Sequence, residues 1–214
     1  MLRVLLRLSK GEEIKYLSHR DVIRAFEFAL RRARIDVMYS SGFNPRPRMS
    51  FGSAIGVGVT SEDERIILEL ASPQAEIVER LNSQLPKGLA VLEAEDIPEG
   101  VKSPLSGLNA VRFRITLECD PEAVGAAIEK LLASDEIKII RVREGKTKEI
   151  DVRPYIMEAV VVESGDSTVV VDVCLRVSDS GGGSSKDFVQ ALGNLVLNME
   201  VRKIHKLSQY HLNN

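Results

Sequence analysis

The sequence predicts an α+β protein of two ferredoxin-like units, each a split βαβ with an antiparallel sheet and its helices packed on one face. Three observations carry this. Short apolar runs at 2–8, 64–70, 89–97, 109–119, 136–143, 158–163, 168–177 and 201–207 read as strands. Four longer segments carry helical start and stop signals. The order β-α-β-β-α-β closes by residue 97 and is approximated again after residue 109. The expected division is 1–98, a Pro/Gly-rich connector at 99–108, and 109–214 with an inserted arm at 144–156.

The first strand places Leu2, Val4, Leu6 and Leu8 on one face. A polar turn at Gly11 leads to a helix over 18–34. Ser18 is a favoured N-cap, with Asp21 three residues on, and Val22, Ile23, Phe26, Ala29, Leu30 and Ala33 make one apolar face. Arg20, Arg24, Glu27, Arg31 and Arg34 fill the other side. Residues 37–39 read as a short strand, and 49–60, with three glycines, as extended chain with a bend. A helix opened by Ser72 or Pro73 runs to Leu85 and ends at Pro86-Lys87-Gly88. In the second unit, Asp120 and Pro121 stand at the N-cap and N1 of a helix reaching Ala133. The strands at 158–163 and 168–177 form a hairpin through Ser164-Gly165-Asp166-Ser167. Residues 178–185 have linker chemistry and 185–197 read as a fourth helix.

With 44% hydrophobic and 28% charged residues, the composition is that of a soluble protein. No apolar run approaches a membrane span, and the arginines within the first run argue against a signal peptide. A cytoplasmic location without membrane contact is the expectation. Cys119 and Cys174 fit strand interiors and form no metal or disulfide pattern; His205 and His211 lack zinc spacing. No metal or cofactor is expected, and neither a Walker loop nor a dinucleotide fingerprint is present. Net charge is −2 but unevenly placed: residues 1–50 carry 11 Lys/Arg against five acids, leaving the remainder at −8. A basic first quarter suits an anionic ligand, RNA or an acidic protein surface.

The candidate site follows from 16–52. Lys15, Ser18, His19 and Arg20 gather at a helix N-terminus, where an anion is favoured and imidazole stays neutral. The segment Ser40-Ser41-Gly42-Phe43-Asn44-Pro45-Arg46-Pro47-Arg48 holds Asn44, Arg46 and Arg48 on proline-stiffened chain. Asp151 and Arg153 alternate on the arm and complete the ligand-binding candidates. Arg24, Arg31, Phe43 and Phe51 are candidates for a nucleic-acid or partner surface, with the phenylalanines able to stack on a base or to anchor the loop. His19 and Asp21 are the catalytic candidates. For the arginines, cradling an anion and, against it, solvating a helix face while pairing with Glu27, Asp36 or acids of the second half are equally open.

Tyr16-Leu17-Ser18-His19-Arg20-Asp21, Phe26-Glu27 with Ala29-Leu30-Arg31-Arg32-Ala33, residues 39–51 and residues 145–156 together resemble a known family. It is the uncharacterised domain that accompanies radical SAM enzymes, as the C-terminal part of, or a neighbour to, cobalamin-binding radical SAM proteins. The likeness covers essentially the whole chain. The matching positions are Leu17, Ser18, His19, Asp21, Ser40, Gly42, Phe43, Asn44, Pro45, Arg48, Phe51, Asp151, Arg153 and Pro154. Without a CxxxCxxC motif, the resemblance implies a stand-alone member. Ser41 and Arg46 depart from members that carry Gln and His there, which removes a second histidine. No reaction carries over from the family. The resulting expectation is an accessory binding module that works with a radical SAM enzyme and holds an anionic substrate such as RNA, or the partner protein. The alternative is an enzyme acting on RNA or a small phosphorylated ligand, with His19 as acid/base.

Overall fold

The computed structural model describes residues 2–143, 145–177 and 182–212. It divides into two compact units, Met1–Leu108 and Asn109–Asn214. The linker chemistry at 178–181 lies outside the described residues.

Unit 1 runs β1 (Leu2–Lys10), α1 (His19–Arg32), β2 (Met49–Phe51), β3 (Thr60–Leu70), α2 (Ile77–Asn82) and β4 (Leu89–Ile97). All its pairings are antiparallel: β4 on β1, β1 on β3, and β2 on β3. The order 4-1-3-2 is that of a split βαβ unit. The period-2 pattern of β1 buries Val4, Leu6 and Leu8, and Leu6 faces Ile66 across the β1–β3 ladder. α1 closes this face with Phe26, Ala29 and Leu30, all fully buried, beside Leu81 of α2. Burying a phenylalanine this completely contributes roughly 1.5–3 kcal/mol.

The ends of both helices have local causes. At the start of α1 the Ser18 hydroxyl accepts from the Asp21 N–H while the Asp21 carboxylate accepts from the Ser18 N–H, a capping box. α1 stops at Arg32 because Arg34 takes a left-handed φ of 53°. Arg80 then caps it, donating 2.8 Å bonds to the carbonyls of Ala33 and Arg34. α2 is shorter than the sequence suggests. Glu76 stands at its N-cap with φ 52°, and the chain from Ser72 to Ala75 is not helical.

Unit 2 runs β5 (Ala110–Glu118), α3 (Pro121–Ala133), β6 (Lys138–Arg143), β7 (Lys146–Asp151), β8 (Ile156–Ser164), β9 (Thr168–Arg176), α4 (Ser185–Gly193) and β10 (Glu200–Tyr210). Its main sheet has the order β10-β5-β9-β8, antiparallel throughout. Counting β5, β8, β9 and β10 as the four strands, the order is again 4-1-3-2. The expected strand at 136–143 is present as β6, but its place in the fold is corrected. It pairs with β7 alone, in a separate two-stranded hairpin inserted between α3 and β8. The inserted arm therefore starts before residue 144. Ile139 is buried whereas Ile140 and Val142 are exposed, so β6 offers no full apolar face to a sheet. α3 begins as the sequence indicates, with the Asp120 carboxylate accepting from the Glu122 N–H and Pro121 at N1. α4 has its own capping box, Ser184 with Asp187. Among the described residues no helix is long and apolar enough to cross a membrane.

Candidate nucleic-acid interface

The first turn of α1 and the 38–48 segment meet in unit 1. The segment is a small hairpin. Tyr39 and Pro47 form an antiparallel bridge, the Arg48 N–H donates to the Met38 carbonyl at 2.8 Å, and the Ser40 N–H donates to the Arg46 carbonyl at 2.9 Å. The Arg46 N–H donates in turn to the Ser40 hydroxyl. Pro47 is buried and residues 41–46 are exposed. A concavity of about 590 Å³ lies here, lined by Ser18, Arg20, Asp21, Ile23, Arg24 and Arg46. Four of the predicted ligand, catalytic and surface residues on α1 thus share one space with Arg46.

The electrostatics of this space follow from its cap. The Ser18 hydroxyl and N–H hold the Asp21 carboxyl below the usual carboxylate range, aided by nearby Arg24, so Asp21 is ionised and engaged in capping. The arginines are not neutralised to match. Among the described residues, the exposed Arg20, Arg31, Arg34 and Arg46 side chains form no ion pair or hydrogen bond, and Arg24 has only its proximity to Asp21. Arg20, Arg24 and Arg31 fall at i, i+4 and i+11, on one stripe of α1. Phe43, at the hairpin tip, is 105% exposed.

The other candidates lie elsewhere. Arg48 pairs with Glu69 at 3.2 Å. Lys15 pairs with Glu12 at 2.8 Å and stands over the Tyr16 ring. Asn44 is exposed at the hairpin tip. In unit 2, the Asp151 carboxylate accepts from the N–H groups of Ile137 and Arg153. The Arg153 guanidinium donates to the carbonyls of Leu132, Ser134 and Ile156, clamping the end of α3. Both residues have internal partners within their own unit.

His19 lines a different cavity, of about 20 Å³, together with Leu8, Lys10, Val22, Phe51, Ile55 and Glu64. That is room for about one water. Its ring meets the Phe51 ring edge-on, centroids 5.1 Å apart, so Phe51 is a packing partner here. Burial, and secondarily the Lys10 charge, push the His19 pKa below its ordinary value, while Glu64 opposes this. The imidazole is neutral at pH 7. Lys10 is a residue that sequence reasoning missed. It is buried, with its ammonium donating to the carbonyls of Lys15 and Leu17 at 3.0 Å. The signal was available: Lys10 continues the 2-4-6-8 phase of β1 onto its inward face. Glu64 was also missed, although it continues the 66-68-70 phase of the expected strand at 64–70 onto the same face. Among the described residues no three His, Cys, Asp or Glu side chains gather as metal ligands.

Comparison with known proteins adds a fold likeness. The solved Cbf5–Nop10–Gar1 complex contains a chain that matches 96% of this one over 48% of its own length, at 10% identity and TM-score 0.51. An H/ACA RNP bound to a substrate RNA containing 2'-deoxyuridine matches over 95% and 46% of the two chains, at 8% identity and TM-score 0.48. This chain spans about half the length of those solved chains. No curated protein matches it in sequence. The model of a family described as an uncharacterized protein conserved in bacteria (DUF2344) matches residues 3–184, and the chain belongs to that family.

Proposed function

We propose that unit 1 is an RNA-holding module that meets phosphates with the arginines of α1 and of the 38–48 hairpin, in the service of a separate enzyme. The observation that carries this is the set of exposed, unpaired guanidiniums at Arg20, Arg31, Arg34 and Arg46, three of which share the concavity or the stripe with Arg24. Several exposed cations gathered around one carboxylate, Asp21, which is engaged in capping, repel one another, and a polyanion that neutralises them also gains counterion release. Contacts of this kind position a nucleic acid and do not read its sequence. The enzyme served is a radical SAM protein on the strength of the family resemblance alone, since no comparison names one. Acid–base action by His19 on RNA or a small phosphorylated ligand takes second place. Its cavity has room for about one water, and Arg46 lines the other space.

The test is recovery of the tagged chain from cells, with bound RNA and protein both identified. Wild type should carry RNA, and the triple variant Arg20→Ala/Arg24→Ala/Arg46→Ala should lose it while melting at the same temperature. Equal RNA recovery by the two would overturn the site. Recovery of RNA without an iron–sulfur protein would remove the partner and leave the RNA role standing.

A further inference from the structure

We propose that the hairpin tip gives this face a preference for unpaired nucleotides, with the Phe43 ring stacking on an exposed base while Arg46, Arg20 and Arg24 hold adjoining phosphates. This rests on the RNA reading above and adds the class of RNA. At 105% exposure, Phe43 is the most exposed of the large apolar side chains among the described residues. A ring wholly in water contributes nothing to the core of its own unit and is free to meet a partner.

The chain that presents the ring is closed. The Tyr39–Pro47 bridge and the paired bonds between Ser40 and Arg46 fix both sides of the tip. Pro45 restricts φ beyond the ring. Before it, Gly42 has φ +138°, a conformation that residues with a Cβ rarely adopt, although open space surrounds it. The glycine is therefore required by the turn that directs Phe43 outward, and no neighbouring group crowds it. The same closure sets Arg46, three residues on, into the concavity with Arg20 and Arg24. One tip thus offers an aromatic face, and its base offers cations.

A paired helix hides its base faces in the stack, so a protruding ring can engage only a splayed or single-stranded base. Unneutralised arginines beside the ring select a polyanion over an apolar groove. An acidic protein surface is the competing occupant, and the test separates it.

The experiment uses the full chain and two labelled probes, a uridine-rich single strand and the same strand annealed to its complement, with anisotropy read at fixed ionic strength. Wild type should favour the single strand. Phe43→Ala should weaken the single strand by roughly 5- to 150-fold and leave the duplex unmoved. Phe43→Trp should retain binding. Because the chain has no tryptophan, its emission reports the ring alone and should be quenched by the stacked base. Unchanged single-strand affinity in Phe43→Ala, or unmoved emission in Phe43→Trp while RNA binds, would overturn the proposal. In either case Arg46→Ala should still weaken both probes if the RNA reading holds. Binding of neither probe, or indifference of both to the arginine substitutions, would instead sink the RNA reading and this inference with it, leaving a protein as the occupant.

Discussion

Units 1 and 2 share the strand order 4-1-3-2 and differ in what their arginines do. In unit 2, Arg112 pairs with Glu158, Arg114 with Asp172, Arg141 with Asp187 and Arg202 with Glu118, while Arg153 clamps the end of α3. Its first helix, α3, carries no arginine. In unit 1, Arg7, Arg48 and Arg65 are paired in the same way and Arg80 clamps the end of α1, but α1, the residue after its cap and the hairpin keep Arg20, Arg31, Arg34 and Arg46 open to water. One topology thus serves twice; in unit 2 Arg176 is the exposed arginine without a partner among the described residues, whereas unit 1 gathers several on one helix and hairpin. The difference between the units is one of clustering, and the proposed RNA site rests on that clustering.

Substitutions at the two clamps should destabilise one unit or the other without removing any cation of the basic face. Arg153→Ala removes three charged hydrogen bonds to carbonyls and should cost about 2–4 kcal/mol by urea unfolding. Arg80→Ala removes the corresponding pair on α1 and should cost about 1–3 kcal/mol. At the caps, Ser18→Ala and Ser184→Ala should each cost about 1 kcal/mol, since both units begin a helix with a capping box. A much larger loss at Ser18 would mean that the cap also supports the hairpin. The smallest effect should be the pH dependence of unit 1. His19 has a folded pKa below its unfolded value near 6.5, so the unfolded state binds more protons between the two. Stability should therefore fall as pH drops below about 6.5, and His19→Gln should flatten that slope in a pH series of thermal melts.

Much of this comparison was legible in the sequence. Caps at Ser18 and Asp120, the alternation of β1 and β5, and the repeated element order gave both units before any contact was known. Three things were not. The strand β6 carries enough β-branched residues to read as a sheet member, and only its pairing with β7 reveals an insertion. The start of α2 depends on one left-handed residue, Glu76, whose identity does not announce that geometry. In the candidate site, composition revealed the basic first quarter. It could not say which of its 11 cations had internal partners, because Glu69 and Glu93, which hold Arg48 and Arg7, come from strands distant in the chain. Whether His19 and Arg46 share one site was open in the sequence, and the fold gives them separate spaces.

The most direct measurement is the salt dependence of single-strand RNA affinity for wild type and for Arg20→Ala/Arg24→Ala/Arg46→Ala. Each phosphate neutralised contributes about 0.7 to the slope of log K against log salt, so losing three contacts should reduce it by about 2. Parallel lines for the two proteins would contradict a role for these arginines in holding a polyanion.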